Sequence, residues 1–239
     1  MRRSILSVFA VLLLLGRLPS QTKERSISFS FRGTYTSTSK VFTNPDSPFG
    51  DLRGQYSSME DIYGGGGELR WRVPGQSFAL SLSAEYLSTT SSQIQLVGFT
   101  SPPQRLPVEE GYRLIPVEIG AQVYIPLGSE RVELTMGGGV GAYIGTRSLR
   151  VAGVKAVEKS TPITYGIHVE TGFDYWIEPW LFVRAEMRFR DPEFTSESKF
   201  EQPATQYGNM LVLFPQVPFR ARINVNGLNF GLGVGVALF

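Results

Sequence analysis

After residue 25 apolar and polar side chains alternate with a period of two, the signature of strands that turn one face to an apolar medium. Ile27, Phe29 and Phe31 alternate with Ser28, Ser30 and Arg32. Leu69, Trp71 and Val73 alternate with Glu68, Arg70 and Arg72, and Phe78, Leu80, Leu82, Ala84 and Tyr86 with Ser81, Ser83 and Glu85. A longer run sets Ile115, Val117, Ile119, Ala121, Val123 and Ile125 against Glu118, Gly120 and Gln122. The second half continues in the same way. Val132, Leu134, Met136, Val140, Ala142 and Ile144 oppose Glu133, Thr135 and several glycines. Ile163, Tyr165, Ile167, Val169, Phe173 and Tyr175 oppose His168, Glu170 and Asp174. Leu181, Val183, Ala185, Met187 and Phe189 oppose Arg184, Glu186, Arg188 and Arg190. A last run from Leu228 to Leu238 opposes Asn229, Gly231, Gly233 and Gly235. The pattern predicts eight strands and no helix.

The connections alternate in length. Residues 74–77, 128–131 and 178–180 read as tight turns, and residues 36–61, 90–110, 147–160 and 191–221 as long polar or Pro-rich loops. Short turns at one rim and long loops at the other are expected of a barrel that crosses an outer membrane. The fold class expected is therefore all-β: one antiparallel up-and-down transmembrane barrel of about eight strands over residues 26–239.

A leader is expected before it. Arg2 and Arg3 precede an apolar run from Ile5 to Leu15, which Gly16, Pro19 and Ser20 end. The run is shorter than the roughly 20 residues of a spanning helix, so residues 1–20 read as a signal peptide. Losing Arg2, Arg3 and Arg17 with it turns the formal charge of +2 into −1. No basic surplus then points to nucleic acid. The chain has no cysteine, which excludes disulfides and thiolate metal sites.

Alternation alone does not say which face is inside, since a soluble barrel around a ligand alternates too. The polar face decides for the membrane. It carries Arg32, Glu68, Arg70, Arg72, Glu85, Glu118, Glu133, His168, Glu170, Asp174, Arg184, Glu186, Arg188 and Arg190. Acids and bases nearly balance there, as a narrow lumen requires if each charge is to be paired. The apolar face is free of charge. Trp71, Tyr86, Tyr112, Tyr143, Tyr165, Tyr175, Trp180 and Phe189 gather toward strand ends, which reads as an interfacial aromatic girdle.

With residues 113–120 (RLIPVEIG) and 181–190 (LFVRAEMRFR) as characteristic stretches, the chain resembles the small OmpA/OmpX-type outer-membrane barrels. The resemblance covers residues 26–239 and implies a bacterial outer-membrane location, with lipid around the wall. It also implies that Phe239, at the end of the last strand, forms part of the insertion signal read by the assembly machinery. Leu238, Val236 and Val234 occupy the other frame from Phe239. The resemblance implies no activity.

Catalytic chemistry has one starting point, His168. Outer-membrane lipid A deacylases set a histidine and a serine two positions apart on a lipid-facing surface. Here position 170 is Glu and the frame points inward, so His168 reads as a lumen histidine. No catalytic, cofactor or metal site is expected. The Gly64–Gly67 run lacks the following helix of a phosphate loop and reads as close backbone packing in the wall. In the fourth loop, Leu211, Leu213, Phe214, Val217 and Phe219 form an apolar patch that extends the last hairpin, caps the barrel or meets a partner. The functional expectation is a non-enzymatic barrel with a salt-bridged lumen that stabilises the envelope or presents its long loops to an external partner. The alternative is a narrow channel or carrier for small or apolar solutes, and an envelope lipid hydrolase using His168 ranks below both.

Overall fold

A computed structural model describes residues 26–97, 103–129, 131–161 and 163–238. The leader assigned to residues 1–20 and the terminal Phe239 lie outside the described residues. Eight strands form a closed ring: β1 (Ile27–Phe42), β2 (Tyr56–Arg72), β3 (Phe78–Val97), β4 (Gln104–Pro126), β5 (Val132–Val151), β7 (Ile163–Glu178), β8 (Leu181–Arg190) and β13 (Leu228–Ala237). Each pairs antiparallel with the next, and β13 closes on β1 from Ser28↔Ala237 to Thr36↔Asn229. Within the ring, closure satisfies the backbone of the strands without an edge, which is the condition for crossing lipid.

The wall continues well above the ring through shorter strands. These are β6 (Val154–Glu158), β9 (Glu193–Phe200) and β12 (Phe219–Asn224), with a separate hairpin of β10 (Ala204–Tyr207) and β11 (Met210–Leu213). β9 continues the line of β8 past Asp191-Pro192, where the missing N–H of proline interrupts the ladder. β12 feeds β13 through the bulge at Asn226-Gly227. Above the ring, β6, β9 and β12 carry the wall from β5 back to β1. One single-turn helix, α1 (Gly50–Arg53), sits between β1 and β2.

This corrects the loop assignment. Residues 36–61, 90–110, 147–160 and 191–221 are in large part strand; above the band the apolar residues move to the inward frame and mix with serine and charge, so the stripe set within the membrane does not continue. At about 3.3 Å per residue and a tilt near 40°, the 23 residues of β4 rise roughly 55–60 Å, against an apolar band of about 25 Å. More than half of the wall therefore stands outside the membrane.

Outward positions within the band carry no charge on any of the eight ring strands among the described residues. Phe31, Leu82, Ile119, Val140, Ile167 and Val234 are all exposed there. Thr171, the polar exception, donates its hydroxyl to the Thr135 carbonyl at 3.1 Å. Tyr63, Tyr86 and Tyr165 mark the upper edge and Trp71, Phe78, Tyr175 and Trp180 the lower. The eight to ten positions between paired markers span about 20–25 Å at that tilt, a bilayer core. Tyr112 and Tyr143 are the correction within the girdle: both point into the barrel and are fully buried, since each lies in the lumen frame of its strand.

Crowding inside explains two of the glycines. A Cβ on Gly66 would lie 2.4 Å from the Ala84 carbonyl and 2.6 Å from Glu85 Cγ, and one on Gly235 would lie 2.2 Å from the Phe182 ring. Gly66→Val is expected to lower the urea midpoint in detergent micelles, with a cost of about 1–3 kcal/mol for the overpacked site.

Candidate functional site

The interior is layered between the short-turn rim and the top. At the bottom a vestibule of about 630 Å³ is lined by Arg72, Tyr124, Glu133 and the turns around Gln76 and Gly128. It ends at the Arg72–Glu133 ion pair (2.8 Å), with the Arg72 guanidinium 3.6 Å from the Tyr124 ring centroid and Trp176 Nε1 donating to Glu133 at 3.2 Å.

Above it lies the charge network. Period two aims these side chains inward from β1, β2, β3, β4, β7 and β8, and closure brings them together across the lumen. Arg32 meets Glu68 at 3.0 Å, Glu85 at 2.5 Å and Glu186 at 3.2 Å. Arg70 meets Glu68 (2.7 Å) and Asp174 (2.9 Å), and Arg184 meets Glu68 (2.8 Å) and Asp174 (3.2 Å). Arg190 pairs with Glu85 at 2.5 Å and Glu118 at 3.4 Å. Arg188, 1% exposed, is the hub. Its two terminal nitrogens reach Glu118 (2.5 Å), Glu170 (2.5 Å), Glu68 (3.3 Å), Glu186 (3.4 Å) and Glu85 (3.5 Å). Gln122 bridges Glu170 and Arg184. Five guanidinium groups thus hold six carboxylates, and the planar fork of arginine explains why lysine is not used.

Carboxylate oxygens of Glu68, Glu170 and Glu186 lie within 4.8 Å of one another, a spacing a metal ion could bridge. Arg188 Nη2 contacts all three, so the cation at that centre is a side chain of the protein. His168 is buried, with Nδ1 3.9 Å from Glu118. The lipid-facing geometry of the deacylases is not formed, because the histidine faces the lumen.

The third layer is apolar, and sequence reading missed it. Ile62, Leu87, Tyr112, Leu114, Tyr143, Phe194 and Ile223 pack directly over the network. Tyr112 and Phe194 stack edge to face at 6.2 Å, and the Tyr143 hydroxyl donates to Glu118 at 2.9 Å, joining the two layers. A buried Arg147–Glu110 pair follows. Over it Leu106, Val108, Leu149, Val151, Val154, Phe200, Val212 and Phe214 form a second apolar cluster. The β10–β11 hairpin supplies its lid: Val212 and Phe214 are buried, and Phe214 and Phe219 flank the Phe200 ring at 4.6 and 5.3 Å. Of the apolar patch read from the sequence, Phe214 is packed inward and Phe219 half-buried. Leu211, Leu213 and Val217 face outward. The signal for this layer was present, since apolar residues enter the lumen frame at Leu87, Leu114 and Tyr112.

No protein-family profile matches the chain, and no curated protein matches its sequence. Solved structures do match. The outer membrane protein OprG from Pseudomonas aeruginosa aligns over 88% of this chain and 95% of its own, with TM-score 0.56 and 13% identity. Neisserial surface protein A aligns over 88% and 96% with TM-score 0.45 and 10% identity. The attachment invasion locus protein Ail of Yersinia pestis aligns over 90% and 99% with TM-score 0.44 and 12% identity. The likeness to OprG is one of fold, and it agrees with the charge-free lipid-facing band and the closed ring. The chain is an eight-stranded antiparallel β-barrel, and it shares its fold with the outer membrane protein OprG.

Proposed function

We propose that this barrel is a closed, non-catalytic outer-membrane protein that holds a β-structure above the cell surface and meets an external partner there. The filled interior carries the reading. From the half-buried Arg72–Glu133 pair through the buried charge network to the Phe200–Phe214 lid, each level is occupied by side chains that are paired or packed. An eight-stranded barrel has room inside for its own side chains and little else. The wall above the band presents exposed apolar groups, Ile94 and Leu96 on β3 and Leu211, Leu213 and Val217 near the lid, which a surface of purely structural purpose would not need.

Planar-bilayer recording on the refolded full chain tests it. Silent bilayers are expected at ordinary salt and voltage. Discrete steps of reproducible size would overturn the closed reading and make the barrel a channel.

A further inference from the structure

The wall is closed within the membrane but not above it. β2 and β3 pair from Arg72↔Ala79 up to Tyr63↔Ser88 and no further. Above that level residues 56–62 of β2 pair only with β1, and residues 89–96 of β3 only with β4, among the described residues. The seams from β3–β4 and β4–β5 through β5–β6, β6–β9 and β9–β12 to β12–β1 carry ladders, and another stretch of upper wall without one among the described residues is 163–167 of β7, which pairs only with β5. Among the described contacts the two facing edges are joined by a bond from Thr89 Oγ1 to the Glu60 carbonyl at 3.3 Å. Between them is a cleft of about 610 Å³ with Met59 at its floor and Ser58, Glu60, Asp61, Ser91 and Gln93 among its walls.

Two unladdered strand edges that face one cleft offer backbone donors and acceptors to an added strand, the β-augmentation mode of peptide recognition. Exposed edges are also a hazard, and charge is the usual protection against indiscriminate pairing. Here that charge is of one sign. Glu60 and Asp61 are exposed in the cleft with no ion pair among the described contacts, whereas Arg150, Arg220 and Arg222 elsewhere on the upper wall are each paired to an acid. The β1–β2 register runs unbroken through Thr36↔Ile62 and Thr38↔Glu60, but Asp61, with φ 54°, drops out of the pairing between them. This left-handed kink leaves the carboxylates of both Glu60 and Asp61 at the cleft. They repel an acidic strand and favour a basic one.

We propose that the β2–β3 cleft is the docking site for an extended, cationic peptide segment of another protein, which adds a strand to the upper wall. This names the partner class for the surface role above and rests on that reading. The absence of cysteine makes a direct test available. Single variants Ser58→Cys in the cleft and Ser148→Cys on the β5 surface are refolded in micelles, and their folded state is checked by heat-dependent migration on gels. The probe is a blocked decapeptide alternating threonine and lysine. Two controls accompany it: a threonine–glutamate decapeptide, and the lysine peptide N-methylated at alternate residues so that one edge has no donors.

The lysine peptide is expected to bind saturably and to shield the thiol of the Ser58→Cys variant, but not that of Ser148→Cys, from alkylation. Both controls should fail to shield it, and Glu60→Gln with Asp61→Asn should weaken binding about fivefold, the size of two exposed ion pairs. Equal binding of the methylated peptide, or shielding of both thiols alike, would overturn the cleft as a strand site. Bilayer conductance is read on the same preparations. Conducting barrels would sink the closed reading whatever the peptide does, and silent barrels whose thiol at position 58 stays unshielded would sink the cleft alone.

Discussion

Arg188→Ala is expected to cost about 3–5 kcal/mol of folding stability, or to prevent the closed barrel from forming, because it strips the cation from buried carboxylates. The loss falls unevenly. Glu68 keeps Arg32, Arg70 and Arg184, Glu85 keeps Arg32 and Arg190, and Glu186 keeps Arg32 and Arg184. Glu170 has no other arginine among its described contacts and keeps only the Gln122 amide at 2.7 Å. Adding Glu170→Gln to Arg188→Ala should therefore recover a large part of the loss, which a mere cavity effect would not allow. Arg188→Lys should fall between wild type and alanine, since one ammonium cannot span Glu118 on one side and Glu170 on the other. Urea unfolding in micelles reads all three. Stability unchanged in Arg188→Ala would mean that the network holds the lumen shut without holding the fold together.

The second large effect separates lipid from water. Ile119, 59% exposed at mid-band on β4, and Ile94, 74% exposed on upper β3, look alike to a water-sized probe. Ile119→Arg is expected to destabilise the barrel in lipid vesicles by about 2–4 kcal/mol, the cost of a guanidinium at the bilayer midplane. Ile94→Arg should change stability by about 0.5 kcal/mol or less, as a surface substitution in water does. Comparable effects at the two sites would place the membrane boundary wrongly or remove the wall from lipid altogether.

Within the membrane the fold was legible because two solvents act on alternate residues. Lipid removes every charge from one frame, and the lumen gathers them in the other, so Leu181 to Arg190 declares both faces in ten residues. Above the band the frames exchange roles, with apolar residues such as Leu106 and Val108 turned inward while Ile94 and Leu96 stay outside, and the contrast that marks a strand fades. That is why residues 36–61 and 90–110 read as loops although β1, β2, β3 and β4 run deep into them. Tyr112 and Tyr143 were misplaced for a related reason: an aromatic near a strand end fits a girdle in composition, and only its frame sends it inward.

By itself the sequence determined the strand period and the number of ring strands and set the charged side chains in one frame of each, because these follow from local chemistry repeated along the chain. Which charge meets which was decided by closure. Arg188 and Glu68 stand 120 positions apart and meet at 3.3 Å because β8 and β2 lie across one narrow lumen. The apolar layer around Phe194 and Ile223, the lid made by Val212 and Phe214, and the unladdered edges of β2 and β3 belong to the same class. Each depends on strands far apart in the chain being brought to one height, and tilt and register set that height only once the ring is closed.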